Sequence, residues 1–384
     1  MLRRIAYTLL PRDPQEVRLL HHTSGGVVIA AVRYRKTSSP LFFTVVEMAA
    51  PNEQALPLRV VHVRVPRPAA VVSAVALVRS ADGADIYVIV QAAEKTDAEA
   101  APASVTSYVY RRQIRLPRAF ASASAATWTA VAAFNPSENM LTDASSSVGA
   151  AVTPTAAFIT ASGGGTDVQL QLWQLCGTRV ALEATWRVPA LAGFAVKEIL
   201  TLPGTQDVVL LRHHNSILEV NLSALRSACA YRSTVTGNAF LSRAWRWLAH
   251  EQLTACAVKD ALLYAGTEGG AVLVWDLRRP TSTAAAAGPC GGPPPLCSAE
   301  LKTPITGLYA PYATGFITCD ASGGVRDWRE RGEMDMGDNQ NEEAEEGALR
   351  DMPTGDEGCV ALDGHDNFAA VVSECGRLCL YFCD

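Results

Sequence analysis

The sequence predicts an all-β chain, a single seven-bladed β-propeller over residues 1–384 whose last blade is completed by an N-terminal strand. Three observations carry that prediction. Apolar runs rich in Val, Ile, Leu and aromatics recur along the chain between turn residues, which is strand chemistry. Three segments share one layout, a turn glycine followed five residues later by an aromatic: Gly270 to Trp275, Gly323 to Trp328 and Gly376 to Tyr381. The aromatic positions lie 53 residues apart, twice, and a fixed period of that size marks a repeat architecture.

Seven hairpins follow in order. Residues 27–35 (VVIAAVRYR) with 41–48 (LFFTVVEM) form the first, near Val45, and 85–91 (DIYVIVQ) with 104–112 (SVTSYVYRR) the second, near Val109. The third is 156–175 (AAFITASGGGTDVQLQLWQL), ending near Trp173, and the fourth is 207–222 (DVVLLRHHNSILEVNL), with Asn221 in the aromatic slot. The last three are 263–277 (LYAGTEGGAVLVWDL), 315–329 (GFITCDASGGVRDWR) and 368–382 (FAAVVSECGRLCLYF). Glycines between the runs supply the positive φ that tight turns need. A Trp near the end of a third strand buries a large apolar area against the next blade. Residues 4–10, Arg-Ile-Ala-Tyr-Thr-Leu-Leu, read as a strand preceding the first blade, and pairing it with the last blade removes an open sheet edge.

Val274-Trp275-Asp276-Leu277 after Gly269-Gly270 resembles the signature of WD-repeat propellers, and Arg326-Asp327-Trp328 and Leu172-Trp173-Gln174-Leu175 resemble decayed copies of it. The family's Gly-His dipeptide is displaced: Gly364-His365 lies 16 residues before Tyr381 and suits the turn between the first two strands of a blade. The resemblance implies Trp173, Trp275, Asp276, Trp328 and Tyr381 as structural anchors of their blades. It also implies adaptor roles.

The repeat exceeds the roughly 40–45 residues typical of the family, so its loops carry inserts. Residues 281–295 (TSTAAAAGPCGGPPP) are low in complexity, and Asn135–Ala151 is rich in small and polar residues. Residues 332–357 form an acidic insert between blades six and seven, expected to be disordered. From Glu333 to Glu357 ten acidic residues face one basic residue, Arg350. That local charge of −9, within a net −5, leaves +4 for the rest. A mildly positive body with no concentrated basic face predicts no nucleic-acid partner. No apolar stretch is long enough for a signal peptide or a membrane span. The expected location is therefore intracellular, cytoplasmic or nuclear, with the ten cysteines present as free thiols. The sequon Asn221-Leu222-Ser223 reads as a strand end.

Chemistry-bearing motifs are weak. Cys375, Cys379 and Cys383 fall on one face of a strand, about 13 Å apart in sequence neighbours, too far to share a metal. Cys290 and Cys297 flank the Gly/Pro loop. The pairs His21-His22 and His213-His214 point to opposite faces of any strand, and His214-Asn215 reads as a turn. Gly163-Gly164-Gly165-Thr166 lacks the lysine and helix of a phosphate loop. No catalytic residue, cofactor or metal site is expected.

Two features point to binding. Phe240, Arg243, Trp245, Arg246 and Trp247 cluster where the count of blades places a loop between blades four and five, and Trp and Arg are enriched at interface hot spots. The acidic insert suits a tether for a basic partner. The expected function is a non-catalytic protein-interaction scaffold, monomeric within a hetero-complex, similar in layout to small propellers of nuclear-pore or vesicle-tethering assemblies. The rival readings are a module that recognises a peptide or modified tail on the top face, and an enzyme with a site at the central channel.

Overall fold

The structure is a computed structural model that describes residues 2–23, 26–35, 42–49, 58–65, 70–80, 84–94, 105–113, 128–134, 147–151, 157–163, 168–176, 178–191, 193–202, 205, 207–228, 240–247, 250–278, 297–301, 303–313, 315–329 and 357–383. Seven antiparallel sheets stand in a ring. Blade one is β2 (Pro14–His22), β3 (Val27–Tyr34), β4 (Phe42–Ala49) and β5 (Arg59–Arg64), after a separate first strand β1 (Leu2–Leu9). Blade two is β6 (Ala70–Arg79), β7 (Asp85–Glu94), β8 (Val105–Gln113) and β9 (Thr129–Phe134). Blade three is β10 (Ser147–Ala151), β11 (Ala157–Gly163), β12 (Val168–Cys176) and β13 (Arg179–Val188). Blade four is β14 (Glu198–Thr201), β15 (Val208–Arg212), β16 (Ser216–Asn221) and β17 (Leu241–Arg246). Blade five is β18 (Leu253–Lys259), β19 (Leu262–Thr267), β20 (Ala271–Asp276) and β21 (Cys297–Glu300). Blade six shows three strands among the described residues, β22 (Ile305–Tyr309), β23 (Gly315–Asp320) and β24 (Val325–Arg329). Blade seven is β25 (Cys359–His365), β26 (Phe368–Ser373) and β27 (Arg377–Cys383), with β1 as its outer strand.

The closure expected from the sequence is present. Strand β1 runs antiparallel to β27 from Leu2↔Cys383 to Leu9↔Arg377, with one bulge between Arg4 and Ala6. Each innermost strand also touches the innermost strands of both neighbouring blades, so the seven form an unbroken circle. All seven predicted hairpins map to the second and third strands of their blades.

The apolar core is divided into seven seams, one at each blade-to-blade boundary. This explains why the strands read as continuous apolar runs. On β3, Val27, Ile29 and Ala31 face blade two, whereas Val28, Ala30 and Val32 face blade seven. With both faces covered, polar alternation disappears. One seam also contains a buried ion pair: Glu47 of blade one meets Arg112 of blade two, and Trp128 Nε1 donates to Glu47 Oε1 at 3.0 Å. Burial pushes the Glu47 carboxyl up against the pull of Arg112.

The three repeated glycines adopt one conformation, with φ of 92°, 92° and 90° at Gly270, Gly323 and Gly376. Three residues before each, Thr267, Asp320 or Ser373 accepts a side-chain hydrogen bond from a backbone N–H across the turn, at 2.9, 3.0 and 3.2 Å. A Cβ on Gly376 would stand 2.6 Å from the Pro11 carbonyl oxygen, where the chain passes from blade seven to blade one. Glycine is required there by both φ and space.

Several details differ from the sequence reading. Ser147–Ala151, assigned to the insert Asn135–Ala151, is the innermost strand of blade three; its small residues hid a strand that carries no large apolar side chain. Asn221, the occupant of an aromatic slot, instead caps the short helix α1 (Leu222–Ala228), its Oδ1 accepting from the Ala224 N–H at 2.8 Å. Cys375 sits in the turn before β27, and only Cys379 and Cys383 lie on the strand. Residues 281–295 and 332–356 lie outside the described residues. Glu357 is described, and its Oε2 accepts from the Cys375 thiol at 2.6 Å.

Candidate functional site

In each blade the inner strand begins where the chain arrives from the blade before, and the turn between second and third strands lies at that same end. One face of the ring therefore carries the blade-to-blade links, these turns and the mouth of the central channel. A cavity of about 210 Å³ opens there, lined by the first residues of β2, β14, β18, β22 and β25.

Charged side chains from blades one, four and seven converge on this cavity. Glu16 and Arg33 are cross-strand partners in blade one, and Glu198 and Arg212 occupy the same relation in blade four. Arg33 Nε donates to Glu16 Oε2 at 2.8 Å, and Arg212 Nε donates to Glu198 Oε2 at 2.9 Å. Arg18 joins the two pairs: its Nε donates to Glu16 Oε1 at 2.9 Å and its Nη1 to Glu198 Oε1 at 3.2 Å. Asp363 of blade seven accepts from the Leu19 N–H at 2.7 Å, so it ties the last blade to the first.

The titration shifts follow from this arrangement. Burial works against ionising Glu198, but Arg212 and Arg18 outweigh it and hold the carboxyl below its ordinary value. Burial likewise opposes the Arg18 charge, and Glu16, Glu198 and Asp363 reverse that effect. Asp363 differs: burial dominates, and the carboxyl is pushed up to about 6 despite Arg18 and two backbone N–H groups. The Cys256 thiol beside the cavity is driven up by burial, the opposite of an activated nucleophile. At the other end of the inner strands, His21 Nδ1 lies 2.9 Å from Asp366 Oδ2, and Tyr309 Oη donates to the Asp366 carbonyl at 2.5 Å. Among the described residues, no group of three His, Cys, Asp or Glu is placed to hold a metal. Nor is any helix among them long and apolar enough to cross a membrane.

The aromatic cluster of blade four is not a loop. Residues 241–246 form β17, the outer strand, paired with β16 from Ser216↔Arg246 to Val220↔Leu241 with one bulge between Glu219 and Val220. Phe240 is 1% exposed in the seam between blades three and four, and Trp245 is 1% exposed in the seam between blades four and five. Arg243 Nη2 donates to Glu219 Oε2 at 2.6 Å, and its guanidinium stands 5.3 Å from the Trp245 ring centroid. It also reaches the Leu277 carbonyl of blade five. Of the residues read as a loop, Phe240 and Trp245 are thus buried between blades and Arg243 is half-buried beside them.

Arg246, exposed, ends the outer strand β17, and Trp247, half-buried against the seam between blades four and five, begins the link that follows. Trp247 Nε1 donates to Glu251 Oε2 at 2.6 Å, and Glu251 Oε1 accepts from the Gly269 N–H at 3.0 Å. The Trp247 N–H donates to the Asn215 carbonyl at 2.8 Å, which pins the link to the turn containing His213 and His214.

The five anchor positions all lie on third strands. Trp173, Trp275 and Tyr381 are buried, and Trp328 is half-buried. Trp173 and Trp328 repeat one geometry: each indole donates to a threonine on the second strand, Thr160 at 3.1 Å and Thr318 at 2.9 Å, and stacks on a phenylalanine, Phe158 or Phe316. The tripeptide Phe-Ile-Thr at 158–160 and 316–318 is the sequence signal for it. Asp276 accepts from its neighbour Arg278 at 2.8 and 3.0 Å. The charged ring of Glu16, Arg18, Arg33, Glu198, Arg212 and Asp363 was not anticipated. Its one local trace is the alternation Glu16-Val17-Arg18-Leu19, polar residues on the channel side of a strand. A scan against protein-family models matches none of them, and no curated protein matches the chain.

Proposed function

We propose that this propeller is a non-catalytic protein-interaction scaffold of the WD-repeat kind, acting as one subunit of a multiprotein complex. The observation that carries the reading is the pair Arg246, exposed, and Trp247, half-buried, where the outer strand of blade four passes into the link to blade five. An amphipathic indole, held by Glu251 and Asn215, beside an exposed guanidinium combines residue types that anchor protein interfaces. Propellers commonly serve as such platforms, because a ring of stiff blades displays many links on one face. In the channel the carboxylates are committed to guanidinium or backbone N–H groups and the nearest thiol is suppressed, which favours binding over catalysis. The narrower form of the proposal is a small propeller of a nuclear-pore or vesicle-tethering assembly, supported by the layout of seven blades with a long acidic insert before the last.

The test is affinity purification of the tagged protein from its own cells with mass spectrometry, comparing wild type with Arg246→Ala/Trp247→Ala. The proposal expects a stoichiometric set of partners that the double change depletes. A protein that purifies alone, or partners indifferent to the change, would overturn it.

A further inference from the structure

We infer that the channel mouth is an oxyanion site, which takes one carboxylate or phosphate group carried on a side chain of a partner protein. The inference deepens the scaffold reading by naming the chemistry that the face recognises. It rests on that reading's choice of face.

The argument is a balance of donors and acceptors. Both oxygens of Glu16 and both of Glu198 already accept from arginines, and Asp363 accepts from the backbone of blade one. Each glutamate oxygen thus already has an arginine donor. A guanidinium carries five N–H donors. Arg18 uses its Nε and Nη1, and Arg212 uses its Nε on Glu198 and its Nη1 on the Leu253 carbonyl at 2.5 Å. The Nη2 groups of both, and the ammonium of exposed Lys197, make no hydrogen bond to the described residues. What the mouth still offers is therefore donors. Its charge agrees: Arg18, Arg33, Lys197 and Arg212 against Glu16, Glu198 and Asp363 leave one positive charge in excess.

The carboxylates here act as positioning groups. They fix guanidiniums that would otherwise lose side-chain entropy on binding, so an arriving oxyanion meets forks already in place. The cavity of about 210 Å³ compares with ~30 Å³ for one water, so it admits a carboxylate or phosphate with several waters. A cationic ligand would have to break existing ion pairs first, and an apolar one would strand the donors.

The test uses short fluorescein-labelled peptides that carry Glu, phosphoserine or Gln at one central position. Their anisotropy is titrated with the full chain at physiological salt, with inorganic phosphate as competitor. Lys197→Glu reverses an exposed charge at the mouth, and Arg187→Glu makes the same net change on the outer strand of blade three, where Arg187 is exposed. The Glu or phosphoserine peptide should bind at least about tenfold more tightly than the Gln peptide, and inorganic phosphate should displace it. Lys197→Glu should weaken it by about tenfold and Arg187→Glu should not. Preference between the two acidic peptides identifies the source of the oxyanion. Equal binding of the Gln peptide, or equal effects of the two reversals, would overturn the inference. Peptides that fail while the assembly still purifies would overturn the oxyanion site alone; peptides that bind while the protein purifies alone would overturn the scaffold alone.

Discussion

Glu198→Ala tests how much the channel network contributes to the ring. The side chain is 10% exposed and accepts from Arg212, itself 13% exposed, and from Arg18, 27% exposed. Removing it deletes two charge-assisted bonds of ~1.5–3 kcal/mol each and leaves two guanidiniums short of a partner. Breaking a buried pair costs ~3–5 kcal/mol, but Arg18 keeps Glu16 and has some access to water, so the low end applies. The expected loss is about 3 kcal/mol. Glu198→Gln retains shape and an acceptor and should lose about half as much. The assay is urea unfolding followed by tryptophan fluorescence and far-UV circular dichroism in parallel, with the midpoint shift converted at constant slope. Because the pair is screened from solvent, the deficit should persist at ~1 M salt, where the Debye length is ~3 Å. In the cycle with Arg212→Ala, the coupling should exceed ~1 kcal/mol. A deficit below ~1 kcal/mol, or one that salt abolishes, would refute the network as a buried clasp.

Asp363 gives a pH signature of opposite sign. Its carboxyl rises from the ordinary 3.8 to about 6 in the fold, so the folded state binds the proton first as pH falls. Stability from this group is therefore present below about pH 4 and is lost as pH rises through about 6, by at most ~3 kcal/mol at ~1.4 kcal/mol per pH unit. Asp363→Asn, still able to accept from Leu19, should be more stable than wild type at pH 7 and equal near pH 4; a constant difference across that range would refute the assignment. Gly376→Ala forces a side chain into φ of 90° against the Leu10 and Pro11 carbonyls, and should cost about 2–4 kcal/mol and speed proteolysis near residue 10. An unchanged cleavage rate would remove Gly376 from the closure. Trp245→Ala should cost about 3–5 kcal/mol, like Trp275→Ala, whereas Trp247→Ala should stay within about 1 kcal/mol; unfolding curves that rank them otherwise would reverse the assignment of core and surface.

The ring was legible because its signals are local. A turn glycine with positive φ and an aromatic five residues on report a single hairpin, and three copies at a 53-residue spacing report the repeat. The strand β10 was not legible, because Ser-Val-Gly-Ala-Ala lacks the large apolar side chains by which strands are recognised. The cluster at 240–247 was read as surface because aromatic and cationic residues together suit an interface, yet Phe240 and Trp245 are buried in the two seams of blade four and Arg243 is paired with Glu219. The channel network lay beyond reach for a different reason. Arg18 and Glu198 are 180 positions apart, and only closure of the ring sets them 3.2 Å from each other. Sequence patterning states which face of a strand is inward, and topology alone states what meets there.

The most direct test of the scaffold reading is the native mass of the tagged protein released gently from its own cells, measured by size-exclusion chromatography with light scattering. The account predicts a species well above the 40.9 kDa of one chain, reduced to that mass by Arg246→Ala/Trp247→Ala. A wild-type protein that elutes as a single chain at cellular concentration would contradict it.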